Sequence, residues 1–240
     1  MKVTLIAEGS TKEQRMARRW GISFLIGEDV LFDTFGDGDV FMHNVRKFRI
    51  DLSRVRHVVI SHDDWDHIAG LWPVIETYKN LAVYVGPHFN QDLKDRIRSY
   101  GVKLVETPEP VLIREGVYTT GELTGHSPRG VLYEQSLVIR DNLSLGVVTG
   151  CAHPCLADIL RAVRSNFGDD IGVIVGGFHL KDMDQHEIRA IIECLAGFGV
   201  LSVAPLHCTG GFAVEEFGRV YGDNYICLRE GDVMDVGERV

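Results

Sequence analysis

The sequence lacks the features that mark secreted, membrane-spanning and disulfide-stabilised proteins. No apolar run approaches the roughly 18–20 residues that a membrane span needs, and Val3–Ala7 is too short for the apolar region of a signal peptide. The 240 residues include five cysteines, an odd number, and no C-x-x-C pair. Because this pattern argues against a disulfide framework, we expect a cytoplasmic protein with no membrane partner.

Positive charge is also scarce. The chain has 25 lysines and arginines against 34 acidic residues, which gives a net charge of -9. Such a surface repels polyanions, so a nucleic-acid partner is not expected. We interpret the basic cluster of Arg15, Arg18 and Arg19 as a solvated face. The charge balance favours a protein that acts on small molecules, and the sequence leaves its oligomeric state open.

No linker-like or repetitive stretch divides the chain, so residues 1–240 are predicted to form one domain. Short apolar runs alternate with helical patterns, which predicts an α/β fold with two sheets in the middle and helices outside. The predicted strands are Val3–Ala7, Ile22–Ile26, Val30–Phe32, Val55–Ile60, Ala82–Val85, Val102–Val105, Val117–Thr119, Val131–Ile139, Ser144–Val148, Gly172–Val175, Val200–Ala204 and Tyr225–Leu228. The predicted helices are Val40–Phe48, His67–Tyr78, Phe89–Tyr100, Cys155–Phe167, Gln185–Phe198 and Phe212–Tyr221, and Thr11–Trp20 fits either helix or loop.

Four of the predicted strands end in a loop that carries histidine. The residues concerned are His62, Cys151 with His153, His179 and His207. In layered α/β folds, that edge of the sheet is where functional sites are assembled. We therefore expect these loops to converge on one site.

The densest of these loops is S-H-D-D-W-D-H-I-A-G, residues 61–70. It presents His62, Asp64, Asp66 and His67, and a divalent metal binds such imidazoles and carboxylates when they lie close together. The alternative is a solvated turn in which Asp66 caps a helix that begins at His67. That alternative explains only one or two of these residues. The loop therefore predicts a metal site.

This loop resembles the H-x-H-x-D-H signature of the metallo-β-lactamase superfamily. Further motifs resemble one of its branches, the family named for 7,8-dihydropterin-6-ylmethyl-4-(β-D-ribofuranosyl)aminobenzene 5′-phosphate synthase. These motifs are V-L-F-D-T (30–34), F-M-H-N-V-R-K-F-R-I-D-L-S (41–53), T-G-C-A-H-P (149–154), G-G-F-H-L (176–180) and L-H-C-T-G (206–210). The resemblance extends from Leu5 to about Val236. It implies a single-domain, four-layer αββα sandwich that holds one or two divalent metal ions, Zn, Mn or Fe.

The resemblance also implies a ligand set. The first metal would be held by His62, Asp64 and His153, and the second by Asp66, His67 and His207. Cys151 stands where many relatives have a bridging carboxylate, and it is either a soft ligand or a small residue that lines the site. Asp33 would support the metal-binding histidines from behind. A rival for the role of His153 is His126 in T-G-H-S-P-R-G.

Other residues are assigned to the substrate and the catalysis. Asp66 and His179 are the candidate catalytic residues, and His179 would act as a general acid or a phosphate contact unless it is a buried structural histidine. Thr209 and Gly210, at the predicted start of a helix, would offer backbone amides to an anion. No role is assigned to His88.

The chain departs from the family pattern at two positions. Asp64 replaces the second histidine of the signature, which makes the first site harder and more anionic and favours manganese or iron beside zinc. Phe35 stands where relatives carry glycine, and we expect it to narrow the pocket or to shift its backbone. Both departures bear on the substrate more than on the fold.

Three functions are compatible with the sequence. The first is a synthase-like transferase that uses its metal to act on a small phosphorylated substrate. The second is a hydrolase of phosphodiester, lactone or thioester bonds, because the same metal loop serves many reactions. The third, which Asp64 suggests, is a non-catalytic sensor, although the retention of the other ligands argues against it.

Overall fold

Two β-sheets face each other at the centre of the computed structural model, which describes residues 1–127, 130–141, 144–168 and 171–236. The strands are β1 (Lys2–Gly9), β2 (Gly21–Ile26), β3 (Val30–Phe32), β4 (His57–Val59), β5 (Ala82–Val85), β6 (Lys103–Glu106), β7 (Leu112–Arg114), β8 (Val117–Thr119), β9 (Leu123–Ser127), β10 (Gly130–Glu134), β11 (Leu137–Arg140), β12 (Leu145–Thr149), β13 (Ile171–Gly177), β14 (Ser202–Leu206) and β15 (Val233–Asp235). The helices are α1 (Lys12–Met16), α2 (Gly38–Lys47), α3 (Trp65–Ile68), α4 (Leu71–Thr77), α5 (Gln91–Ser99), α6 (Leu156–Phe167), α7 (Gln185–Gly197) and α8 (Gly211–Tyr221).

The first sheet has the strand order β15-β1-β2-β3-β4-β5-β6, and the second has the order β14-β13-β12-β11-β8-β7. Strands β3 to β6 run parallel in the first sheet, as β12 to β14 do in the second. Parallel neighbours need a crossover connection, commonly a helix. This arrangement gathers the loops that follow β3, β4, β12, β13 and β14, and these loops carry the predicted site residues.

Three apolar clusters define four layers. One cluster lies between the sheets and includes Phe24 and Phe32 of the first sheet with Leu137 and Val175 of the second. A second packs α2, α4 and α5 on the outer face of the first sheet, and a third packs α6, α7 and α8 on the outer face of the second. Because both sheets share the inner cluster, the fold is one αββα domain. The predicted architecture is confirmed.

Local capping decides the segment that the sequence left open between helix and loop. Thr11 accepts a hydrogen bond from the backbone of Gln14, and the Gln14 side chain accepts one from the backbone of Thr11. This reciprocal pair satisfies amide groups that would otherwise lack partners at a helix start. The helix α1 therefore covers only Lys12–Met16 of the segment, and none of its residues is buried.

Two predicted elements are each divided in the structure. The predicted strand Val131–Ile139 is two strands, because the chain turns at Gln135, whose side-chain amide donates to the carbonyl oxygens of Ile60 and Tyr84. The predicted helix His67–Tyr78 is also two, α3 and α4. They separate at Gly70, where a Cβ atom would lie 2.5 Å from the carbonyl oxygen of Thr34.

Other differences concern short segments. The predicted strand at Tyr225–Leu228 is wrong, since only an isolated bridge between Val203 and Tyr225 forms there. The short strands β7, β9 and β15 were not predicted. The helix predicted to begin at His67 begins at Trp65, so Asp66 lies in its first turn and does not cap it. Within the described ranges, no helix is long and apolar enough to cross a membrane.

Gly21 packs directly against residues 61–70, the loop that is predicted to bind metal. Its φ is +119°, and a Cβ atom there would lie 1.8 Å from the carbonyl oxygen of Asp66. We expect Gly21→Ala to lower the free energy of unfolding by about 1–3 kcal/mol. Alanine would be strained at this φ, and its Cβ atom would push the Asp66 backbone away. Urea denaturation of the wild type and the variant measures this change.

The control is Gly197→Ala, at the end of α7, where a Cβ atom would meet nothing within 4 Å. This variant should change the free energy of unfolding by less than about 1 kcal/mol. Equal stabilities for the two variants would show that the approach of Gly21 to the metal loop is not a constraint.

Candidate metal centre

Four imidazoles converge where the strand ends of the two sheets meet. His62 follows β4, His67 lies in α3, His153 follows β12 and His207 follows β14. The ring centroids are 4.1 Å apart for His62 and His67, 4.8 Å for His62 and His153, and 5.3 Å for His67 and His207. The side chains of His62, His67 and His207 are fully buried. The predicted convergence of the histidine loops is therefore observed.

Each of these rings is held by a hydrogen bond at Nδ1. The partners are the Ser61 hydroxyl for His62 at 2.8 Å, Asp33 for His67 at 2.6 Å, Glu134 for His153 at 2.8 Å and the Gly9 carbonyl oxygen for His207 at 2.8 Å. An acceptor at Nδ1 fixes the tautomer and leaves the Nε2 lone pair available to a ligand. All four rings thus share the arrangement of metal-binding histidines.

The other ring nitrogens are consistent with this arrangement. Nε2 of His62 and Nε2 of His207 are buried and have no hydrogen-bond partner among the described residues. A buried polar atom without a partner costs about 1–3 kcal/mol, so such atoms are rare unless an ion or ligand binds them. The residues present therefore fit a divalent metal ion.

Cys151 lies between two groups of potential ligands. Its sulfur and ring nitrogens of His62 and His153 lie within 4.8 Å of one another, and the same holds for Cys151, His67 and His207. The Cys151 sulfur is 3.4 Å from Nε2 of His67. We call these groups the first and the second triad. This shared position fits both alternatives that the sequence left open for Cys151, a soft ligand or a small residue that lines the site.

The two aspartates of the loop differ in their surroundings. Oδ2 of Asp66 lies 3.5 Å from Nε2 of both His67 and His207, in the second triad. Asp64 precedes α3 and makes no side-chain capping bond, and its Oδ2 lies 3.8 Å from Nε2 of His62. The Asp64 side chain is 40% exposed, so it stands at the mouth of the site. The ligand roles that the resemblance implies for Asp64 and Asp66 stay predictions.

The charges of these groups depend on one another. Burial, reinforced by the charge of His67, holds the pKa of His62 well below its usual value, so His62 is in the neutral form that metals bind. Burial disfavours the His67 cation, but Asp33 and Asp66 outweigh it and raise the pKa of His67. Burial also opposes ionisation of Asp66, yet His67 and His207 hold its pKa below the usual range. Asp66 is therefore an anion.

Cys151 and Cys208 influence each other's ionisation. Burial and a hydrogen bond to Cys208 raise the pKa of Cys151 well above its usual value. Burial likewise opposes ionisation of Cys208, but the hydrogen bond from Cys151 and the charge of His207 hold its pKa well below the usual value.

The structure separates the two rivals for the third histidine. His153 joins the first triad, whereas His126 is exposed on β9, outside the ligand groups found among the described residues. Its backbone amide donates to the His153 carbonyl oxygen at 3.4 Å. His179 lies next to His153, with ring centroids 4.4 Å apart. Its predicted substrate-facing position agrees with its place in the pocket wall.

Three other predicted positions lie away from the pocket. The Thr209 hydroxyl is buried, donates to Leu206 and accepts from Phe178, so it fixes a turn. Neither Thr209 nor Gly210 lines the pocket, and their role as anion contacts stays a prediction. The expectation that Phe35 narrows the pocket is wrong. Its side chain is 1% exposed and packs in the outer apolar cluster, while its backbone takes a left-handed φ of +63° that glycine would adopt without strain.

A pocket of about 560 Å³ opens above the histidines. This volume lies within the range of small-molecule sites. Its lining includes the cations Arg15 and Lys181, of which Lys181 pairs with Asp182, and the aromatic residues Trp20, Trp65, Phe89 and Tyr133. It also includes Asp63, Asp64, Asp66, Cys151, His153, His179, Asp182 and Cys208. The site therefore combines potential metal ligands, positive charge and flat apolar surface.

Sequence reasoning missed three residues of the site, namely Glu134, Glu122 and His88. Glu134 is fully buried and accepts from the backbone amides of Cys151, Ala152 and His153 as well as from the His153 ring. Its signal was an acidic residue within an apolar predicted strand, since a buried charge requires partners. The second carboxylate, Glu122, accepts from Nδ1 of His88, a pocket residue to which the sequence assigned no role.

Comparisons with known proteins identify relatives. The family profile described as the metallo-beta-lactamase superfamily matches residues 23–137. The 7,8-dihydropterin-6-methyl-4-(beta-D-ribofuranosyl)-aminobenzene-5'-phosphate synthase of Methanocaldococcus jannaschii is 24% identical over 261 aligned positions, which cover 89% of this chain and 89% of that protein. The sequence likeness thus spans most of both chains.

Solved structures extend the likeness. Tm1679, described as a metal-dependent hydrolase of the beta-lactamase superfamily, aligns with a TM-score of 0.78 and 26% identity, covering 99% of this chain and 100% of that one. Zinc-bound PqqB from Methylobacterium extorquens aligns with a TM-score of 0.63 and 15% identity, covering 98% and 100%. At 15% identity, the second likeness concerns the fold alone. The fold predicted from the sequence is confirmed.

The hydrogen bonds of Glu134 generate a prediction about metal affinity. Glu134→Gln keeps the shape of the side chain but removes the charge that orients His153. We expect the affinity for Zn²⁺ to fall about 10- to 100-fold, as is typical when a carboxylate behind a ligating histidine is lost. Competition with a chromophoric chelator measures the change.

Glu122→Gln is the matched control, because Glu122 supports His88 and touches none of the four converging histidines through a hydrogen bond that the structure records. It should bind Zn²⁺ as the wild type does. Equal losses of affinity in both variants would contradict the role of Glu134.

Proposed function

We propose that this chain is a metal-dependent enzyme of the metallo-β-lactamase superfamily that acts on a small phosphorylated substrate. One observation carries the proposal. Four buried imidazoles, each with its Nδ1 already hydrogen-bonded, converge beneath a pocket whose lining includes Arg15 and Lys181. Apolar residues at these positions would stabilise the fold at least as well as four buried imidazoles do, so the imidazoles indicate a function.

The residues named above would hold one or two divalent ions, Zn, Mn or Fe. His62, Asp64 and His153 would bind the first, and Asp66, His67 and His207 the second, with Cys151 between them. A bound ion supplies Lewis-acid stabilisation of developing negative charge and a template that orients the substrate. The oxygen of Asp64 makes the first site harder than one built from histidines alone, which favours manganese or iron.

The walls of the pocket suit a phosphorylated aromatic molecule. Arg15 and Lys181 supply positive charge for phosphate oxygens. Trp20, Trp65 and Tyr133 offer flat rings against which a planar heterocycle would stack. The net charge of -9 disfavours a nucleic acid as the substrate, so we propose a small molecule.

The reaction we favour is a synthase-like transfer, supported by the 24% identity over 89% of the chain to the dihydropterin synthase named above. In this reaction an arylamine ribose phosphate attacks the methylene carbon of a pterin diphosphate. The new carbon–nitrogen bond forms as the carbon–oxygen bond to diphosphate breaks, and the amine loses a proton. Arg15 and Lys181 would bind the departing diphosphate. Asp66 and His179 are the candidates to accept and donate protons.

Hydrolysis is the second candidate, because the 26% identical Tm1679, aligned over 99% of this chain, is described as a hydrolase. Water would then replace the amine in the same pocket. The two reactions differ in what is consumed. Incubating the metal-loaded protein with the arylamine and the pterin diphosphate, and following both by chromatography, distinguishes them. Consumption of both in equal amounts supports the transferase, whereas release of diphosphate from the pterin without consumption of the amine supports the hydrolase.

Metal content tests the proposal as a whole. Protein purified without chelator should contain about one or two equivalents of transition metal, since sites of this kind fill at low metal activity. Less than about 0.1 equivalent, with no activity after addition of Mn, Fe or Zn, would exclude both enzymatic functions.

Removing one central histidine should separate binding from folding. His67→Ala is expected to lose metal and activity, because its ring belongs to the second triad and contacts Cys151. His186→Ala, on an exposed position of α7, should retain both. Elemental analysis and the coupled assay measure the outcome, and identical behaviour of the two variants would refute the ligand assignment.

The position of Arg15 in the pocket lining generates a prediction about product inhibition. Arg15→Ala should weaken inhibition by inorganic diphosphate about tenfold, because a charge-assisted hydrogen bond contributes about 1.5–3 kcal/mol. Arg46→Ala, on the exposed face of α2 and outside the pocket lining, should leave the inhibition constant unchanged. An unchanged constant in Arg15→Ala would remove that residue from the phosphate site.

A further inference from the structure

A third group of potential ligands lies beside the two triads. The sulfurs of Cys151 and Cys208 and a ring nitrogen of His179 lie within 4.8 Å of one another. Cys151 is shared with both triads, but Cys208 and His179 belong to neither. Both cysteines are buried, with 4% and 1% exposure, and pack with Trp20 in a small cluster of their own. This group is chemically distinct, because it has two sulfurs and one nitrogen, whereas each triad has one sulfur and two nitrogens.

The backbone is shaped to bring these three side chains together. At Gly177, the last residue of β13, a Cβ atom would lie 2.8 Å from the Cys208 sulfur and 2.3 Å from the carbonyl oxygen of Gly150. Only glycine therefore leaves room for Cys208 at this point. Two residues later, His179 takes a left-handed φ of +54°, a strained conformation for a residue with a Cβ atom. Strain of this kind concentrates at functional sites.

The Cys151 sulfur contacts Nε2 of His67 at 3.4 Å, but the other two side chains make few recorded hydrogen bonds outside the group. Nδ1 of His179 is buried and has no hydrogen-bond partner among the described residues, unlike Nδ1 of the four converging histidines. The hydrogen bond that the structure records from the Cys208 sulfur to the Cys151 carbonyl oxygen is long, at 3.7 Å. A buried ring nitrogen without a partner, next to two thiols, is the arrangement that a soft metal ion satisfies.

We propose that Cys151, Cys208 and His179 form a binding site for a thiophilic metal ion, separate from the histidine centre. Two sulfurs and one imidazole match the Cys₂His sets that hold zinc with a fourth position open to a ligand. All three residues line the pocket, so the ion enters from the pocket and its open position faces it. Because Cys151 also touches His67, an ion here shares the Cys151 sulfur with the histidine centre. Binding displaces the thiol protons into solvent.

Cobalt substitution tests this site without any substrate. The full-length protein, reduced and freed of metal by chelation, is titrated with Co²⁺ while the sulfur-to-cobalt charge-transfer absorption in the near ultraviolet is recorded. The wild type should develop this absorption. Cys208→Ser should reach about half of the wild-type intensity at saturation, because one of two sulfur ligands is lost.

Two further variants complete the test. His179→Ala should keep the charge-transfer intensity at saturation but bind Cd²⁺ at least about tenfold more weakly, since only the nitrogen ligand is removed. Cys194→Ser, on α7 outside all three ligand groups, should match the wild type in both measurements. A Cys208→Ser titration that coincides with the wild type, or a wild type without the absorption, would overturn the proposal.

The thiophilic site and the proposed enzymatic function can be tested independently of each other. His67→Ala, which dismantles the second triad, should retain the Cys208-dependent absorption, because His67 is not a member of this site. Loss of the absorption in His67→Ala would show that the cysteines bind metal only as part of the histidine centre, and would likewise overturn a separate site.

Discussion

The site depends on two buried carboxylates that hold the histidines from behind. Asp33 is fully buried and accepts hydrogen bonds from the Ser61 amide, the Ser61 hydroxyl and the His67 ring. Glu134 does the same for the loop after β12, with three backbone amides and the His153 ring. Each charge is expensive to bury alone and is compensated only when every partner is in place. The carboxylates therefore fix the loops and the rings in one arrangement.

The compensation extends to the backbone. Asp33, His179 and His207 all adopt left-handed φ values, between +52° and +54°, and all three belong to the site or support it. Each such residue costs about 1–3 kcal/mol of strain, which the packed sheets on either side must offset. Glycines permit the same crowding elsewhere: a Cβ atom at Gly150 would lie 2.1 Å from the Ser61 hydroxyl. Packing of the layered core therefore offsets the backbone strain at the site.

Cysteine gives the site chemistry that a set of histidines and carboxylates lacks. Cys151 lies within reach of both triads, and Cys208 and His179 extend the ligands toward the pocket. Soft sulfur and hard carboxylate oxygen thus border the same pocket, with Asp64 at its mouth. Ligands of such different softness favour different ions. The fold is shared with the solved structures compared above, whereas this combination of side chains at the pocket belongs to the chain itself.

The sequence by itself determined the elements and most of the chemistry. Apolar runs of alternating type predicted the two central sheets, because side-chain periodicity follows from local backbone geometry. Histidines at four strand ends predicted convergence, because parallel strands deliver their ends to one edge. The tertiary structure alone decided what depends on distant contacts. It divided the predicted strand Val131–Ile139 at Gln135, and it brought His153 rather than His126 to the site. It also buried the Phe35 side chain in the outer apolar cluster. It also revealed Glu134 as the partner of a histidine 19 positions away, since a hydrogen bond between separate loops has no local signature in the sequence.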